Sequence, residues 1–214
     1  MRVVAIIPAY NEEKTIGAVV NTLTSVEMID RIIVVNDGSE DSTAKEVLKN
    51  SRVDLIDLLE NRGKGGAVKA GLDHSSSEIV LILDADLIGL TREHVESLLE
   101  PVLNNQTPMT VGLFEKGRAA TDLAQKMAPF LSGQRALQRE FLQNISDLDL
   151  SRFGLEMALY NYVEMNNIDY LEVYLHDLSH VMKEEKLGVG RGLLARLKMY
   201  GEILKYIFRL RPKP

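Results

Sequence analysis

Apolar and polar residues follow two different patterns along the first hundred residues. Short apolar runs predict buried strands, and the stretches between them repeat apolar residues at the three-to-four-residue spacing of an amphipathic helix. The strands are predicted at residues 3–7, 31–35, 53–58 and 78–86, and the helices at residues 11–26, at 43–48, and from a glycine-rich loop at 61–66 to about residue 72. This alternation predicts an α/β fold, a mostly parallel sheet with helices on both faces.

The second half of the chain has a less regular pattern. Its predicted elements are a helix at residues 91–103, a strand at 109–114, a stretch from 131 that leads into a helix ending near 143, a helix starting at 153, and a strand at 170–175. In the first half, Pro8 is expected to end the first strand, because proline cannot donate a ladder hydrogen bond.

Polar residues cluster where the predicted parallel strands end. They occupy residues 8–12, 36–39 and 84–86. In open α/β sheets ligands bind beyond the carboxyl ends of the strands, so these three groups should converge on one crevice. Asp84 and Asp86 are two residues apart, and in extended backbone they would face the same side. Two such carboxylates suit Mg²⁺ or Mn²⁺, although a strand end with two solvated acids is the alternative interpretation.

Composition and charge exclude several kinds of site and make some partners less plausible for this protein. The sequence has no cysteine, which excludes disulfides, zinc-thiolate sites and a cysteine nucleophile. Residues 191–214 carry seven basic residues and one acidic residue, a net charge of +6, so the total of −6 leaves −12 on the first 190 residues. Such an acidic body argues against nucleic acid as the principal partner. No apolar segment approaches the roughly 20 residues of a membrane span, and we expect a cytoplasmic protein.

The glycine-rich loop around Lys64 matches neither common phosphate-binding pattern. Its sequence, Gly63-Lys-Gly-Gly66, lacks the spacing of a P-loop and that of a dinucleotide-binding turn. ATP hydrolysis and NAD-linked redox chemistry are therefore weak hypotheses. Lys64 is either a phosphate-binding residue or an ordinary surface lysine.

Four short motifs follow one another within about ninety residues. They are the run Pro8, Ala9, Tyr10, Asn11, Glu12, Glu13; the run from Val35 through Asn36, Asp37 and Gly38 to Thr43; the loop from Asn61 to Ala67; and Asp84-Ala-Asp86. In this order they resemble the family 2 glycosyltransferases of the GT-A fold.

The resemblance implies a Rossmann-like sheet that binds a nucleotide-diphosphate sugar. The first two motifs would hold the nucleotide, with Asp37 at the base and Glu12 at the ribose. Lys64 would contact the nucleotide end of the cleft, and Asp84 and Asp86 would hold Mg²⁺ or Mn²⁺ on the diphosphate. A cation fixed in advance suits the charge that develops on a diphosphate leaving group.

A looser resemblance links the second half to the glucosyl-3-phosphoglycerate synthases. It rests on Leu131-Ser-Gly-Gln-Arg135, on Phe153-Gly-Leu-Glu156 and on the late histidine, His180. The resemblance implies that Glu156 bonds the donor sugar and that His180 completes the metal site. Alternatively, Glu156 is an acid favoured by its position at a helix N-terminus, and His180 is an ordinary histidine.

The Glu-Asp pair that often supplies a base in inverting members of the family is absent. Gln134 and Arg135 stand roughly where the pair would be expected. Either the acceptor is already anionic or the mechanism retains configuration, and both routes favour an acceptor that carries phosphate or carboxylate. Arg135 or Arg139 is then the candidate anchor.

The basic C-terminal segment is predicted to be an amphipathic helix. Five apolar residues fall on one face: Leu193, Leu197, Tyr200, Leu204 and Ile207. Such a helix packs on its own domain, forms a homodimer, or lies on an anionic membrane surface. The membrane interpretation suits polyprenyl-phosphate sugar transferases, which share the first four motifs.

The sequence therefore predicts a glycosyltransferase domain at residues 1–190 and a basic helix and tail at 191–214. The predicted reaction moves a hexose from a UDP- or GDP-linked donor to a phosphorylated small molecule, or alternatively to a lipid phosphate. Two rival hypotheses are a sugar nucleotidyltransferase, whose loop after the first strand is rich in glycine and arginine, and a sensor that binds a sugar nucleotide without transfer.

Overall fold

A computed structural model describes residues 1–115, 132–145 and 154–181. The chain divides into two compact units, residues 1–179 and 180–214, and only residues 180 and 181 of the second unit are described. The predicted helix at 191–214 and the predicted boundary after residue 190 lie outside the described residues.

The first unit is built on a seven-stranded sheet. Its strand order is β3-β2-β1-β4-β7-β6-β8, and β5 and β9 form a separate two-stranded sheet. The strands are β1 Val3–Ala9, β2 Arg31–Asp37, β3 Asp54–Leu58, β4 Ile79–Ile82, β5 Leu87–Ile88, β6 Met109–Glu115, β7 Arg135–Gln138, β8 Leu171–His176 and β9 Ser179–His180. In the large sheet β7 alone runs antiparallel to its neighbours, β4 and β6. The predicted mostly parallel α/β sheet is confirmed.

Helices cover both faces of this sheet. They are α1 Ile16–Leu23, α2 Thr43–Val47, α3 Gly63–Asp73, α4 Arg92–Leu103, α5 Arg139–Gln143 and α6 Gly154–Asn166. In β1 the side chains of Val3, Ala5 and Ile7 pack with α1 and α4, whereas Val4 and Ile6 pack with α3, α5 and α6. Both sets are fully buried, and each large aliphatic side chain contributes roughly 1.5–3 kcal/mol of transfer free energy. Burial on both faces explains why the strand sequence is continuously apolar.

Strand β1 continues through Pro8 to Ala9, so the prediction that proline ends the strand is wrong. The backbone N–H of Leu83 donates to the carbonyl of Ile6 at 3.4 Å, which places Ile6 toward β4. Pro8, two residues later, faces the same side, beyond the last residue of β1 that pairs with β4. A proline at this point removes no ladder hydrogen bond to β4.

Two further elements differ from the prediction. Strand β7 occupies residues predicted to lead into a helix, because β4 and β6 each supply an antiparallel edge against which this segment pairs. Helix α3 begins at Gly63, within the stretch predicted as a loop, because a carboxylate on a neighbouring strand binds its first backbone N–H groups.

Candidate functional site

Two loops at the carboxyl ends of β1 and β2 are joined by hydrogen bonds. The backbone N–H of Asn11 donates to Ser39 Oγ at 2.9 Å, and Asn11 Oδ1 accepts from the backbone N–H of Glu40 at 2.9 Å. The backbone N–H of Glu12 donates to Thr43 Oγ1 at 2.8 Å. Asn11 has a φ of 57°, a left-handed conformation that asparagine tolerates. The first two motifs therefore form one continuous surface.

Asp41 contributes to this junction through both of its carboxylate oxygens. Oδ1 accepts from the backbone N–H of Thr43 at 2.9 Å and from its hydroxyl, and Oδ2 accepts from the backbone N–H of Glu13 at 3.1 Å. Partial burial raises the pKa of Asp41, but these hydrogen bonds outweigh it, so its pKa lies below the ordinary 3.8. The ionised form of Asp41 therefore stabilises the folded state.

Replacing Asp41 with asparagine is expected to lower the free energy of unfolding by about 1 kcal/mol at pH 7. Because the folded-state pKa is depressed, the contribution of the carboxylate is complete above its ordinary pKa and disappears as the pH falls through the folded-state value. Urea denaturation of both proteins at pH 7 and pH 3 measures this difference. Asp73→Asn, at an exposed site, should change stability by less than about 0.5 kcal/mol. An Asp41 effect of equal size at both pH values would contradict the assignment.

Asp37, at the end of β2, fixes the start of α3. Its Oδ1 and Oδ2 accept the backbone N–H groups of Arg62 and Gly63 at 2.7 and 2.9 Å. Burial raises the pKa of Asp37, although both hydrogen bonds and the charge of Arg62 act in the opposite direction. Gly38 has a φ of 71°, and a Cβ there would lie 2.9 Å from the backbone nitrogen of Asn61. The motif that contains Asp37 thus fixes the position of the glycine-rich motif that begins at Asn61.

Lys64, in the first turn of α3, lies between two carboxylates. Its Nζ is 2.5 Å from Asp84 Oδ1 and 2.7 Å from Glu156 Oε1, and the exposed fractions of the three side chains are 19%, 30% and 11%. Asp84 follows β4, and Glu156 is in the first turn of α6. Helices α3 and α6 pack into the same apolar cluster on one face of the sheet, which brings their N-terminal turns together. The structure therefore joins three residues that the sequence analysis selected separately.

The charge of Lys64 is fixed by its surroundings. Burial lowers the pKa of the Lys64 ammonium, but the charges of Asp84 and Glu156, and then their hydrogen bonds, outweigh burial. The pKa of Lys64 therefore lies well above its ordinary value, and the side chain remains protonated at physiological pH. Lys64 serves as a cation here and not as a general base.

Gln134 binds the second oxygen of Asp84, a contact that the sequence analysis did not predict. Its Nε2 donates to Asp84 Oδ2 at 2.7 Å, and its Oε1 lies 3.0 Å from Ser132 Oγ. Antiparallel pairing aligns Ile82 of β4 with Arg135 of β7, so the residues before β7 lie beside those after β4. The sequence around Gln134 shows only a short cluster of small and polar residues. This cluster indicates a contact with Asp84 only when β7 is known to be a strand beside β4.

Gly133 leaves the space that the Lys64–Asp84 ion pair fills. A Cβ at position 133 would lie 2.3 Å from Asp84 Oδ2 and 2.4 Å from Lys64 Nζ. Both distances are far shorter than any van der Waals contact. With Lys64 and Asp84 in their present positions, there is no room for a side chain at residue 133.

The two candidate anchor arginines lie in different places. Arg135 is 2% exposed, and its Nε donates to the carbonyl of Ser132 at 2.9 Å. Burial lowers the pKa of Arg135 and the charge of Glu156 acts against this, yet a guanidinium stays protonated in proteins. Arg139 donates from Nη2 to the carbonyl of Leu72, at the end of α3 opposite Lys64. Arg139 therefore contacts the end of α3 away from Lys64, and the choice between the two arginines as the anchor stays a prediction.

The remaining predicted residues differ in secondary structure and in exposure. Asp84 and Asp86 follow the last residue of β4, and Asp86 is in a turn. The strand predicted at residues 78–86 therefore ends before both aspartates. Ala9 is buried and Tyr10 is 45% exposed. His180 lies in β9, and its role as a metal ligand stays a prediction.

The donor atoms present fit a divalent cation that binds through few protein ligands. Within the described residues, no group of three or more His, Cys, Asp or Glu side chains is placed to hold a metal ion. The carboxylates of Asp84 and Asp86 are nevertheless the oxygen donors that Mg²⁺ and Mn²⁺ prefer. Mg²⁺ in particular is commonly bound by one or two carboxylates, with substrate phosphates and water as the other ligands.

Solved structures share this fold. Glucosyl-3-phosphoglycerate synthase from Mycobacterium tuberculosis with Mn²⁺ and UDP-glucose is 26% identical, with a TM-score of 0.68 over 84% of this chain and 71% of that chain. The same enzyme with Mn²⁺, UDP and phosphoglyceric acid is 25% identical, with a TM-score of 0.69 over 91% of this chain and 78% of that chain. The sheet and its flanking helices are those of the GT-A fold.

Comparison of the amino-acid sequence with known proteins finds a second group of relatives, and comparison with family models finds a matching family. Dolichyl-phosphate beta-glucosyltransferase from Mus musculus is 38% identical over 118 residues, which are 48% of this chain and 36% of that protein. The match thus spans little more than a third of the relative's length. The model of glycosyl transferase family 2 matches residues 4–162, which include all four motifs, Gln134 and Glu156. This chain therefore belongs to glycosyl transferase family 2.

Proposed function

We propose that this protein transfers a hexose from a nucleotide-diphosphate sugar to a phosphorylated small-molecule acceptor. The observation that supports this most strongly is the cluster of Lys64, Asp84 and Glu156, held beside the two loops that carry the nucleotide-binding motifs of the family. The cluster contains one ammonium and two carboxylates, a net charge of −1 that favours binding of a divalent cation. A diphosphate leaving group needs cationic stabilisation as its bond to the sugar breaks.

We propose UDP-glucose as the donor, with a GDP-linked sugar as the alternative. The support is the likeness to a structure that contains UDP-glucose. Residues Pro8 to Glu12, with Asp37 and Gly38, are proposed to hold the nucleoside. Asp37 is already bound to two backbone N–H groups, so its oxygens have fixed directions and only their remaining lone pairs are left for a base.

The proposed metal is Mg²⁺ or Mn²⁺, held by Asp84 and Asp86 with His180 as a further candidate ligand. When bound, it would neutralise charge on the diphosphate. Lys64, which pairs with Asp84 and Glu156, is proposed to contact the nucleotide end of the cleft, and Glu156 is proposed to bond the donor sugar. Arg135 is proposed to contribute positive charge toward an anionic acceptor from a buried position.

A lipid phosphate is the second candidate acceptor. It is favoured by the 38% identity to a dolichyl-phosphate glucosyltransferase, over 48% of this chain. No helix among the described residues is long and apolar enough to span a bilayer. Peripheral membrane contact or a homodimer through residues 191–214, a segment outside the described residues, is a separate proposal. A cytoplasmic location is also a proposal.

Calorimetric titration of UDP-glucose and of GDP-mannose, each with and without Mn²⁺, tests donor binding. The wild-type protein is expected to bind one donor in a metal-dependent way, and Asp86→Ala is expected to weaken that binding at least about 10-fold, since it removes one metal ligand. Binding of neither donor would contradict the proposal. Metal-independent binding that Asp86→Ala leaves unchanged would contradict the metal assignment alone.

Incubation with acceptors then separates the candidate reactions. Transfer of glucose to 3-phosphoglycerate would support the small-molecule acceptor, and transfer to dolichyl phosphate in detergent would support the lipid. Pyrophosphate release from UTP and a sugar phosphate would instead identify a nucleotidyltransferase. Donor binding without transfer to either acceptor would favour a sensor.

A further inference from the structure

Asp84 is held by two donors that come from opposite halves of the family domain. Lys64, on α3, binds Oδ1 at 2.5 Å, and Gln134, just before β7, binds Oδ2 at 2.7 Å. The first contact joins two of the motifs that the sequence analysis selected, whereas the second involves a residue given no role by those motifs. We propose that Gln134 is a positioning residue that orients the Asp84 carboxylate for the nucleotide-sugar donor, an inference that rests on the proposed function.

The neighbours of Gln134 determine which end of its amide faces Asp84. With Nε2 toward Asp84, the amide donates to a carboxylate and its Oε1 faces the hydroxyl of Ser132 at 3.0 Å. The reverse orientation would place the amide oxygen against a carboxylate oxygen, where neither atom can donate. The hydroxyl of Ser132 has two acceptors within reach, the carbonyl of Gly112 and Gln134 Oε1, and its contact with the Asp84 cluster runs through Gln134.

The backbone around Gln134 is rigid enough to make this contact effective. Gln134 is 1% exposed. Its backbone carbonyl accepts from the backbone N–H of Gly112 at 2.8 Å, and its backbone N–H donates to Ser132 Oγ at 3.3 Å. A Cβ on Gly112 would approach the Cβ of Gln134 to 3.2 Å, which shows how closely β6 packs against this segment. A side chain fixed in this way holds its hydrogen-bond partner in one geometry, which is what preorganised binding requires.

The test is a double-mutant cycle in donor affinity. Gln134→Met keeps the length of the side chain and removes the N–H donor, and Ser132→Ala removes the hydroxyl that contacts the amide oxygen. With UDP-glucose and Mn²⁺, we expect Gln134→Met to weaken binding about 10-fold or more, the range for a hydrogen bond to a charged group, and Ser132→Ala to weaken it several-fold. Because Ser132 acts through Gln134, the double variant should bind no more weakly than Gln134→Met alone.

A second substitution keeps the test decisive if Gln134→Met does not fold. Gln134→Leu is slightly shorter and has neither a donor nor an acceptor on its side chain, so it should weaken binding at least as much as Gln134→Met. Unchanged affinity in the Gln134 variants, or penalties that add in the double variant, would overturn the positioning role. If the wild-type protein and these variants bind UDP-glucose equally well, only the positioning role of Gln134 is contradicted. If the wild-type protein binds neither donor, the proposed function itself is contradicted.

Discussion

Replacing Lys64 with methionine is expected to lower the free energy of unfolding by about 3 kcal/mol and to weaken donor binding at least about 10-fold. Methionine keeps most of the length of lysine but leaves Asp84 and Glu156 facing each other without a cation. Removing one partner of a largely buried ion pair exposes the other to an uncompensated desolvation penalty, and here two carboxylates lose their partner together. Thermal unfolding and titration with UDP-glucose and Mn²⁺ measure the two effects.

The same helix offers a matched control. Lys69 forms an exposed ion pair with Asp73 at 3.0 Å, so Lys69→Met should cost less than about 1 kcal/mol and leave donor binding unchanged. Adding Glu156→Gln to Lys64→Met should recover part of the lost stability, because it removes one of the two unpaired charges. Equal losses in Lys64→Met and Lys69→Met would contradict the importance of the cluster.

Replacing Gly133 with alanine is expected to reduce transfer activity about 100-fold while leaving the fold largely intact. The new Cβ would occupy the position of the Lys64–Asp84 contact, and both side chains would have to move apart. The atoms that must move are the ends of two side chains and not backbone, so the sheet itself need not be displaced. Displacements of about 1 Å at catalytic groups are sufficient for a loss of this size. Product formation with whichever of the two proposed acceptors the wild-type protein uses, measured alongside the melting temperature, tests this expectation.

Gly17→Ala is the control for this substitution. Gly17 lies in α1, where an added Cβ meets no atom within 4 Å, so the change should keep full activity and be neutral or stabilising by up to about 1 kcal/mol. If Gly133→Ala retained wild-type activity, the ion pair would tolerate rearrangement and its geometry would not matter for transfer. If it unfolded the protein, the effect would be structural.

The Lys64 and Gly133 substitutions separate two properties of one cluster. Lys64 supplies charge, so its loss affects both folding and ligand binding. Gly133 supplies only space, so its replacement should affect ligand binding and transfer far more than folding. A stability effect confined to Lys64→Met, with a functional effect in both variants, would be the signature of a cluster shaped for a ligand.

The sequence by itself determined that the first half of the chain forms a mostly parallel sheet with helices on both faces. Apolar runs such as residues 3–7 and 32–35 are buried on both sides, and that requirement is visible in the pattern without knowledge of any contact. The same applies to the motifs at the strand ends, since parallel strands place their carboxyl ends at one edge. The structure brings together Asp84, Lys64 and Glu156, which the sequence analysis selected separately, and their roles stay predictions.

Strand β7 and its consequences were decided only by the tertiary structure. Its sequence, Arg-Ala-Leu-Gln, consists of good helix formers, and no local pattern predicts a strand there. The segment becomes a strand because β4 and β6 leave a gap between them that antiparallel pairing fills. That pairing aligns Ile82 with Arg135 and so carries Gln134 and Gly133 to Asp84, residues about fifty positions apart whose proximity no local signal encodes.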